Sequence, residues 1–337
     1  CLIIVAIALG VGLTRTSNKY KTQEEVNLIF SNVTSNSAKE AGIKFQELVE
    51  EYSDGKITVD LFQDNILGDD KTVAEGVQNG DIDIAVCSTS SLSTLNKDYY
   101  LYDTPYLFLN AQEVYDVGFH GKVATQMLND VSDLGLKHMA MWENGFRNYT
   151  NNHHPITSPA DCKGQKIRTM ENPIHLAAWK AIGANPTPMA FSELFTAMQQ
   201  NTVDGQENPL GIIYSNRFYE VQKYISLTQH VYTPYVVLMN PDKYNALTQE
   251  QKDIINKAME EATEYQLKLS AEEEKGIAEM EKYGCEINLL TDEQKMEFQK
   301  MMEDANVFGI AKDAMKNPAY FDEILEELNA YREQEGL

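Results

Sequence analysis

Arginine is scarce in this chain. Of 28 basic residues only Arg15, Arg147, Arg168, Arg217 and Arg332 are arginines, against 51 acidic residues and a formal net charge of -23. A chain this acidic repels phosphate backbones and anionic headgroups, so no nucleic acid is expected as a bulk partner. A small anion is still admissible, because local charge decides a pocket, and each arginine is worth locating. Cysteine is sparse too. Cys1, Cys87, Cys162 and Cys285 form no CxxC pattern, and no HExxH or Cys/His ligand spacing occurs. No metal is expected, and the last three cysteines read as small core residues. The adjacent His153 and His154 would point different ways on a strand or helix, which favours the surface. Catalytic signatures are missing as well: there is no GxSxG, no Walker loop and no GxGxxG after the first strand. No cofactor is expected.

What is present begins with an apolar run over residues 2–13, followed by Arg15 and polar residues. A run that short falls well below the roughly 20 residues that span a bilayer, but it suits the core of an export signal. Residues 1–25 are therefore expected to be a signal or anchor remnant outside the fold. The protein is then exported, to the periplasm or to the outer face of the cytoplasmic membrane, where it could be membrane-anchored.

From residue 26 the pattern alternates. VNLIF (26–30), KITVDLF (56–62) and DIDIAVC (81–87) read as strands, separated by helical spacings over 37–52 and about 69–79. The rhythm returns with KIRTM (166–170), a helix over 172–184, a short strand at NPTPM and the helix SELFTAMQQ with Ser192 as N-cap. This is the order of mostly parallel sheets flanked by helices. The helix end QQNTVDG (199–205) echoes QNGDID (78–83), which suggests two similar α/β lobes. Residues 248–283 hold no proline and one glycine and open on the capping box Thr248–Gln251. They predict one helix about 54 Å long, spanning both lobes. No low-complexity linker occurs, so the chain should cross between lobes more than once. The expected partition is 26–144 plus about 233–265 for the first lobe, and 145–232 plus about 266–337 for the second.

Three stretches carry polar chemistry: WENGFRNYTN (142–151), KIRTMEN (166–172) and NTVDGQENPL (201–210). Arg168 stands in an apolar strand beside Ile167 and Met170, where it needs an anionic partner or a wet cleft. Arg147, Arg168 and Asn208 lie at predicted strand ends or turns, where ligands collect in open α/β sheets. A guanidinium grips a carboxylate through two parallel hydrogen bonds. The alternative is a structural ion pair with one of the many carboxylates.

These stretches, with PITSPADCKGQKIR, AIGANPTPMAFSEL, QQNTVDGQENP, LGDDKTVAEGVQNGDIDIAV and YDTPYLF, closely resemble the extracytoplasmic substrate-binding proteins of TRAP (tripartite ATP-independent periplasmic) transporters. The resemblance runs from about residue 26 to the C-terminus. It implies a two-lobed periplasmic-binding-protein-like fold of the class II type. It also implies a ligand held between closing lobes and delivery to TRAP membrane permease subunits for cation-driven uptake. The family's carboxylate-binding arginine matches Arg168, its second arginine matches Arg147, and its asparagine matches Asn208.

Such proteins bind C4-dicarboxylates, sialic acid, uronates or other organic acids. First-lobe segments expected to face Arg168 offer Asn32, Thr34 and Asn36, then Asp69, Asp70 and Glu75, then Ser88 to Ser91, with only Lys39 and Lys71 as basic groups. Carboxylates there would repel a second carboxylate and accept hydrogen bonds from hydroxyls. The expected ligand is thus a hydroxylated monocarboxylate, a hexuronate such as D-glucuronate or D-galacturonate. Asp69 and Asp70 could instead simply cap their helix. The candidate site comprises Arg168, Arg147, Asn208, Asn144, Asn32, Asp70, Glu75, Ser88, Met170 and Phe191. An enzyme such as a sugar-acid lyase would need a general base beside the arginines, for which Glu143, Glu171 or Glu207 qualify. A ligand sensor is the third possibility.

Overall fold

A single strand, β4, is shared by the two sheets of the molecule. In the computed structural model, which describes residues 25–271 and 276–336, ten strands alternate with helices. They are β1 (Val26–Asn32), β2 (Ile57–Phe62), β3 (Ile84–Ser88), β4 (Lys137–Asn151), β5 (Lys166–Thr169), β6 (Asn185–Pro188), β7 (Gly205–Pro209), β8 (Tyr224–Leu227), β9 (Tyr232–Met239) and β10 (Glu286–Leu289). The first lobe orders them β2-β1-β3-β9-β4, with β1 parallel to both neighbours and β9 antiparallel to β3 and β4. The second continues β4-β7-β5-β6, while β8 and then β10 add to the other edge of β4. The fold is thus two-lobed and mixed α/β. The signal or anchor expected at the N-terminus falls in residues 1–24, outside the described residues. Among the described residues no helix is long and apolar enough to cross a membrane.

Local chemistry explains the elements. Every residue of β9 (YTPYVVLM) is buried, because neighbours flank it on both sides and helices cover both faces. Such a strand reads as a continuous apolar run instead of an alternation. The helix α1 (Ser37–Tyr52) starts where the Asn36 side chain accepts from Ala38 N, and buries Ala38, Ala41, Phe45, Leu48 and Val49. The helix α2 (Asp70–Asn79) is N-capped by Asp69, which accepts from Thr72 N, and it ends at Gly80 with φ 83°, a left-handed turn that glycine adopts without strain. The short helix α3 (Thr89–Leu92) follows β3 directly. Cys87, Cys162 and Cys285 are buried free thiols, and His153 and His154 are exposed.

Three expectations need correction. The single helix over 248–283 is two, Gln249–Ser270 and Gly276–Tyr283. The first packs on α1 and β4, anchored by Gln266, which donates to Ser37 Oγ at 2.9 Å and to the Glu143 carbonyl at 2.6 Å. The second lies on Leu210–Ser215 in the other lobe, with Gly276 tight against the Tyr214 ring. One straight rod cannot seat its apolar face on both surfaces. The C-terminal helix Ala319–Glu335, expected in the second lobe, packs instead on Lys122–Asn129 of the first. There Arg332 forms a fork on Glu113 and donates to the Leu107 carbonyl at 2.9 Å. Finally, helix Phe191–Gln199 has Ala190 at its N-cap, two residues before the Ser192 cap expected.

The hydrophobic core reflects this threading. One cluster fills the first lobe beneath α1, around Phe30, Phe45, Trp142 and Ile254. A smaller one lies in the second, around Met198, Ile213 and Phe218. The largest runs through both, from Tyr102 and Phe108 to Trp179, Phe298 and Ile324. Close backbone packing also fixes where β4 meets β7. A Cβ on Gly205 would sit 2.1 Å from the Thr150 carbonyl oxygen, which the ladder cannot move aside. Gly205→Ala should therefore cost roughly 1–3 kcal/mol by overpacking, read as a lower urea midpoint. An unchanged midpoint would show that β4 and β7 can separate freely at this point.

Candidate functional site

Where β4 passes from one lobe to the other, a cavity of about 220 Å³ opens between them. Its second-lobe wall starts from β5. This strand lies between β6 and β7, with Arg168 opposite Thr187 and Gln206. Parallel central strands are buried, so Arg168 carries its guanidinium at 1% exposure. Its Nε and Nη2 donate to the Met189 carbonyl at 3.1 and 2.8 Å, while Nη1 is buried with no partner. Burial and the neighbouring Arg147 charge push its pKa down to about 10, so it stays cationic at neutral pH. The end of the fork, Nη1 with the second Nη2 hydrogen, is left for an anion.

Arg147 behaves differently. It stands on β4 opposite Pro209 of β7, and its Nε and Nη2 close on the two carboxylate oxygens of Glu207, both residues being buried. Burial alone would raise the Glu207 carboxyl, but Arg147, His175 and His230 outweigh it and hold it well below the usual range. Arg147 lines the cavity with its charge already matched, so it is the structural ion pair and supplies no spare cation. Glu207, held ionised by three partners, is equally unsuited to act as a general base. Among the described residues Arg332 pairs with Glu113 and Arg217 with Glu220 at the surface. Arg168 alone of these four forms no ion pair with a carboxylate and gives its hydrogen bonds to a carbonyl instead.

The remaining expected residues divide. Asn208, Asn144, Asp70, Ser88, Met170 and Phe191 all line the cavity. Asn208 accepts from Arg147 Nη2 at 3.1 Å and donates to Gln206 at 2.5 Å, leaving one amide hydrogen for the cavity. Asn144 Oδ1 is buried with no partner. Asp69 caps α2, whereas Asp70 turns inward and accepts from Ser88 N at 2.7 Å. Ser88 and Ser91 reach across to the Met170 sulfur at 3.9 and 3.7 Å, so the lobes touch beside the cavity. Asn32 and Glu75 are not brought to it. Asn32 turns back to accept from Thr34 N at 3.3 Å, and Glu75 is exposed on the far face of α2. A strand alternates faces and a helix rotates 100° per residue, so neighbours of a site residue need not share its wall.

Sequence reasoning did not find Thr94, Met189, Ala190, Ile212 and Tyr235, which also line the cavity. The Tyr235 hydroxyl lies 2.8 Å from Thr34 Oγ1. A phenol inside the apolar run of β9 was a usable signal, since a buried tyrosine hydroxyl needs a polar partner. Met189 contributes through its carbonyl, which no side-chain pattern could reveal. The cavity thus sets the unpaired guanidinium nitrogen of Arg168 against hydroxyl, amide and carboxylate groups of the other lobe.

A cleft of this kind between two α/β lobes threaded by a shared strand suits the capture of a small solute. Residues 30–308 match bacterial extracellular solute-binding protein, family 7, and the chain belongs to that family. It is 35% identical over 288 residues to the 2,3-diketo-L-gulonate-binding periplasmic protein YiaO of Escherichia coli, covering 85% of this chain and 87% of that protein. Among solved structures it resembles the sugar acid binding protein of Advenella mimigardefordensis in complex with galactonate. That match has TM-score 0.87, 32% identity and coverage of 91% and 99% of the two chains. It also resembles a TRAP periplasmic solute-binding protein of Sulfurospirillum deleyianum with bound succinate (TM-score 0.84, 31% identity, 91% and 99% covered).

Burial in this wall pushes the Asp70 carboxyl up from 3.8 to about 6, despite the hydrogen bonds from Ser88 and Ser91. The folded state therefore holds this proton more tightly than the unfolded chain. Stability falls as pH rises between those two values, and above about 6 the penalty is complete. Asp70→Asn keeps an acceptor for Ser88 N and removes the charge. At pH 7.5 the ligand-free variant should be more stable than wild type by about 3 kcal/mol, the gap closing below pH 4. Equal stability at pH 7.5 would mean that Asp70 is solvated.

Proposed function

We propose that the protein captures a hydroxylated monocarboxylate, a sugar acid such as D-glucuronate or D-galacturonate, and delivers it to a TRAP permease for cation-coupled uptake. The observation that carries this reading is the pairing of one unmatched guanidinium end, on Arg168, with the buried Asp70 across the cavity. The carboxylate of a sugar acid meets Arg168. Its hydroxyls donate to Asp70 and exchange bonds with Ser88, Ser91, Thr34 and Asn144. A dicarboxylate would place its second charge against Asp70 at a cost set by the low local dielectric. The cavity is smaller than the roughly 300–1,000 Å³ of drug-sized sites, which fits a single sugar acid. The galactonate-bound and diketogulonate-binding relatives support the same class.

One observation favours a C4-dicarboxylate instead: Lys71 also lines the cavity and could face a second carboxylate. The succinate-bound relative keeps that reading in play. A thermal-shift panel decides between them, since a ligand that binds only the native state raises the melting temperature. Glucuronate, galacturonate or galactonate should stabilise the protein, and succinate, malate and fumarate should not. A shift with the C4 acids alone would overturn the sugar-acid assignment.

Arg168→Lys keeps the charge but loses the fork. With each charge-assisted bond contributing roughly 1.5–3 kcal/mol, affinity for the stabilising acid should drop more than about a hundredfold. Asn208→Ala should cost about 1–2 kcal/mol, and the surface Arg217→Lys almost nothing. Calorimetry on the three variants tests this, and equal affinity in the Arg168 and Arg217 variants would remove Arg168 from the site.

A further inference from the structure

Behind the cavity lies a second set of buried polar groups that no ligand contact explains. Asp103 and His175 are at 0% and 2% exposure, and Asn172 is at 0%. None of the three lines the cavity. Asp103 belongs to the first lobe, and Asn172 and His175 open the second-lobe helix Pro173–Ala181. We propose that these three are positioning residues: they form a buried clasp between the lobes that sets how long a bound solute is retained, without touching it.

The geometry is that of a polar network crossing between two bodies. Asp103 accepts from Ser90 Oγ, from Asn172 Nδ2 at 2.5 Å and from His175 Nε2 at 3.1 Å. Asn172 Nδ2 also lies 3.0 Å from the Ser90 carbonyl and 2.9 Å from Ser93 Oγ, both on the first lobe. Its Oδ1 meanwhile caps its own helix, accepting from Ile174 N at 2.9 Å. One side chain thus ends a helix in one lobe and docks it onto the other. His175 continues the line, since its Nδ1 faces Glu207 at 3.9 Å, and Glu207 holds Arg147 in the cavity wall. Opening the lobes must break these bonds and leave Asp103 without its partners, so the clasp opposes release of the ligand.

The imidazole of His175 makes the clasp sensitive to pH. Burial disfavours its charge, but the hydrogen bonds and charges of Asp103 and Glu207 outweigh that and raise its pKa. The other polar groups near it are Arg147 beyond Glu207, His230 on the same carboxylate, and Tyr100 beside Asp103. The helices packed on this one, 292–304 and 307–314, face it with Phe298, Met302, Val307 and Ala311, and β6 carries no titratable group. A histidine whose folded pKa is raised contributes below its usual value and stops contributing as pH rises through the folded one. Retention should therefore weaken on the alkaline side.

The clasp does not depend on which acid is bound, so its test uses galactonate as a probe together with a ligand-free arm. Asp103→Asn keeps the shape, His175→Gln keeps a neutral donor, and Asn172→Ser keeps an N-cap acceptor too short to reach Asp103. At pH 6 each folded variant should release galactonate roughly tenfold faster or more than wild type. Wild-type release should accelerate as the pH is raised above the usual histidine range, and the His175→Gln profile should stay flat there. Without ligand, amide exchange over 89–93 and 172–181 should rise in all three variants. Wild-type release rates and pH profile in the folded variants would overturn the clasp, as would unchanged exchange. If wild type fails to bind galactonate, the sugar-acid reading suffers and the exchange arm still decides this one.

Discussion

Two buried guanidinium groups stand in this cleft, and the Glu207 carboxylate neutralises one of them. That ion pair governs the rest of the site. An uncompensated charge in a dry interior is expensive, and removing one partner of a buried pair leaves the other stranded. With Glu207 committed to Arg147, Arg168 keeps the only unmatched cationic end among the buried arginines described here. In the proposed function the ligand supplies the missing anion. On that reading a carboxylate would meet a buried guanidinium nitrogen that no protein group satisfies.

The same carboxylate ties the binding wall to the scaffold. Glu207 lies on β7, pairs with Arg147 of β4, and meets His230 at 3.0 Å in the segment leading into β9. The β4 strand and the return through 228–232 are both crossings between the lobes. Any rotation about them is felt at Glu207. The network through His175 to Asp103 extends that connection to the far side of the cleft. The two lobes are thereby joined through packed charge as well as through the chain crossings.

Asp70 shows the cost of a binding surface. Its carboxylate is buried where it lowers the stability of the empty protein, and a fold selected for stability alone would place an amide or an apolar residue there. Its retention in the wall makes sense if ligand hydroxyls repay the desolvation. Asp69 next to it does the ordinary work of capping α2. Two identical neighbouring residues thus hold opposite roles, decided by which way the first turn of a helix faces.

Much of this was legible in the chain itself. The alternation of strands and helices, the capping box at Thr248, and the family stretches around Arg147, Arg168 and Asn208 are local patterns, and local patterns survive folding. The scarcity of arginine pointed to Arg168 before any geometry did. What the chain could not state is pairing between distant positions. Arg147 and Glu207 are 60 residues apart, and nothing near either shows that they meet. For the same reason the linear pattern merged two helices across 248–283, included Asn32 and Glu75 in the site, and omitted Tyr235 and the Met189 carbonyl. Periodicity fixes which residues share a face of one element. Which face meets which, and therefore which charge is satisfied and which is left for a ligand, is decided only when the elements pack.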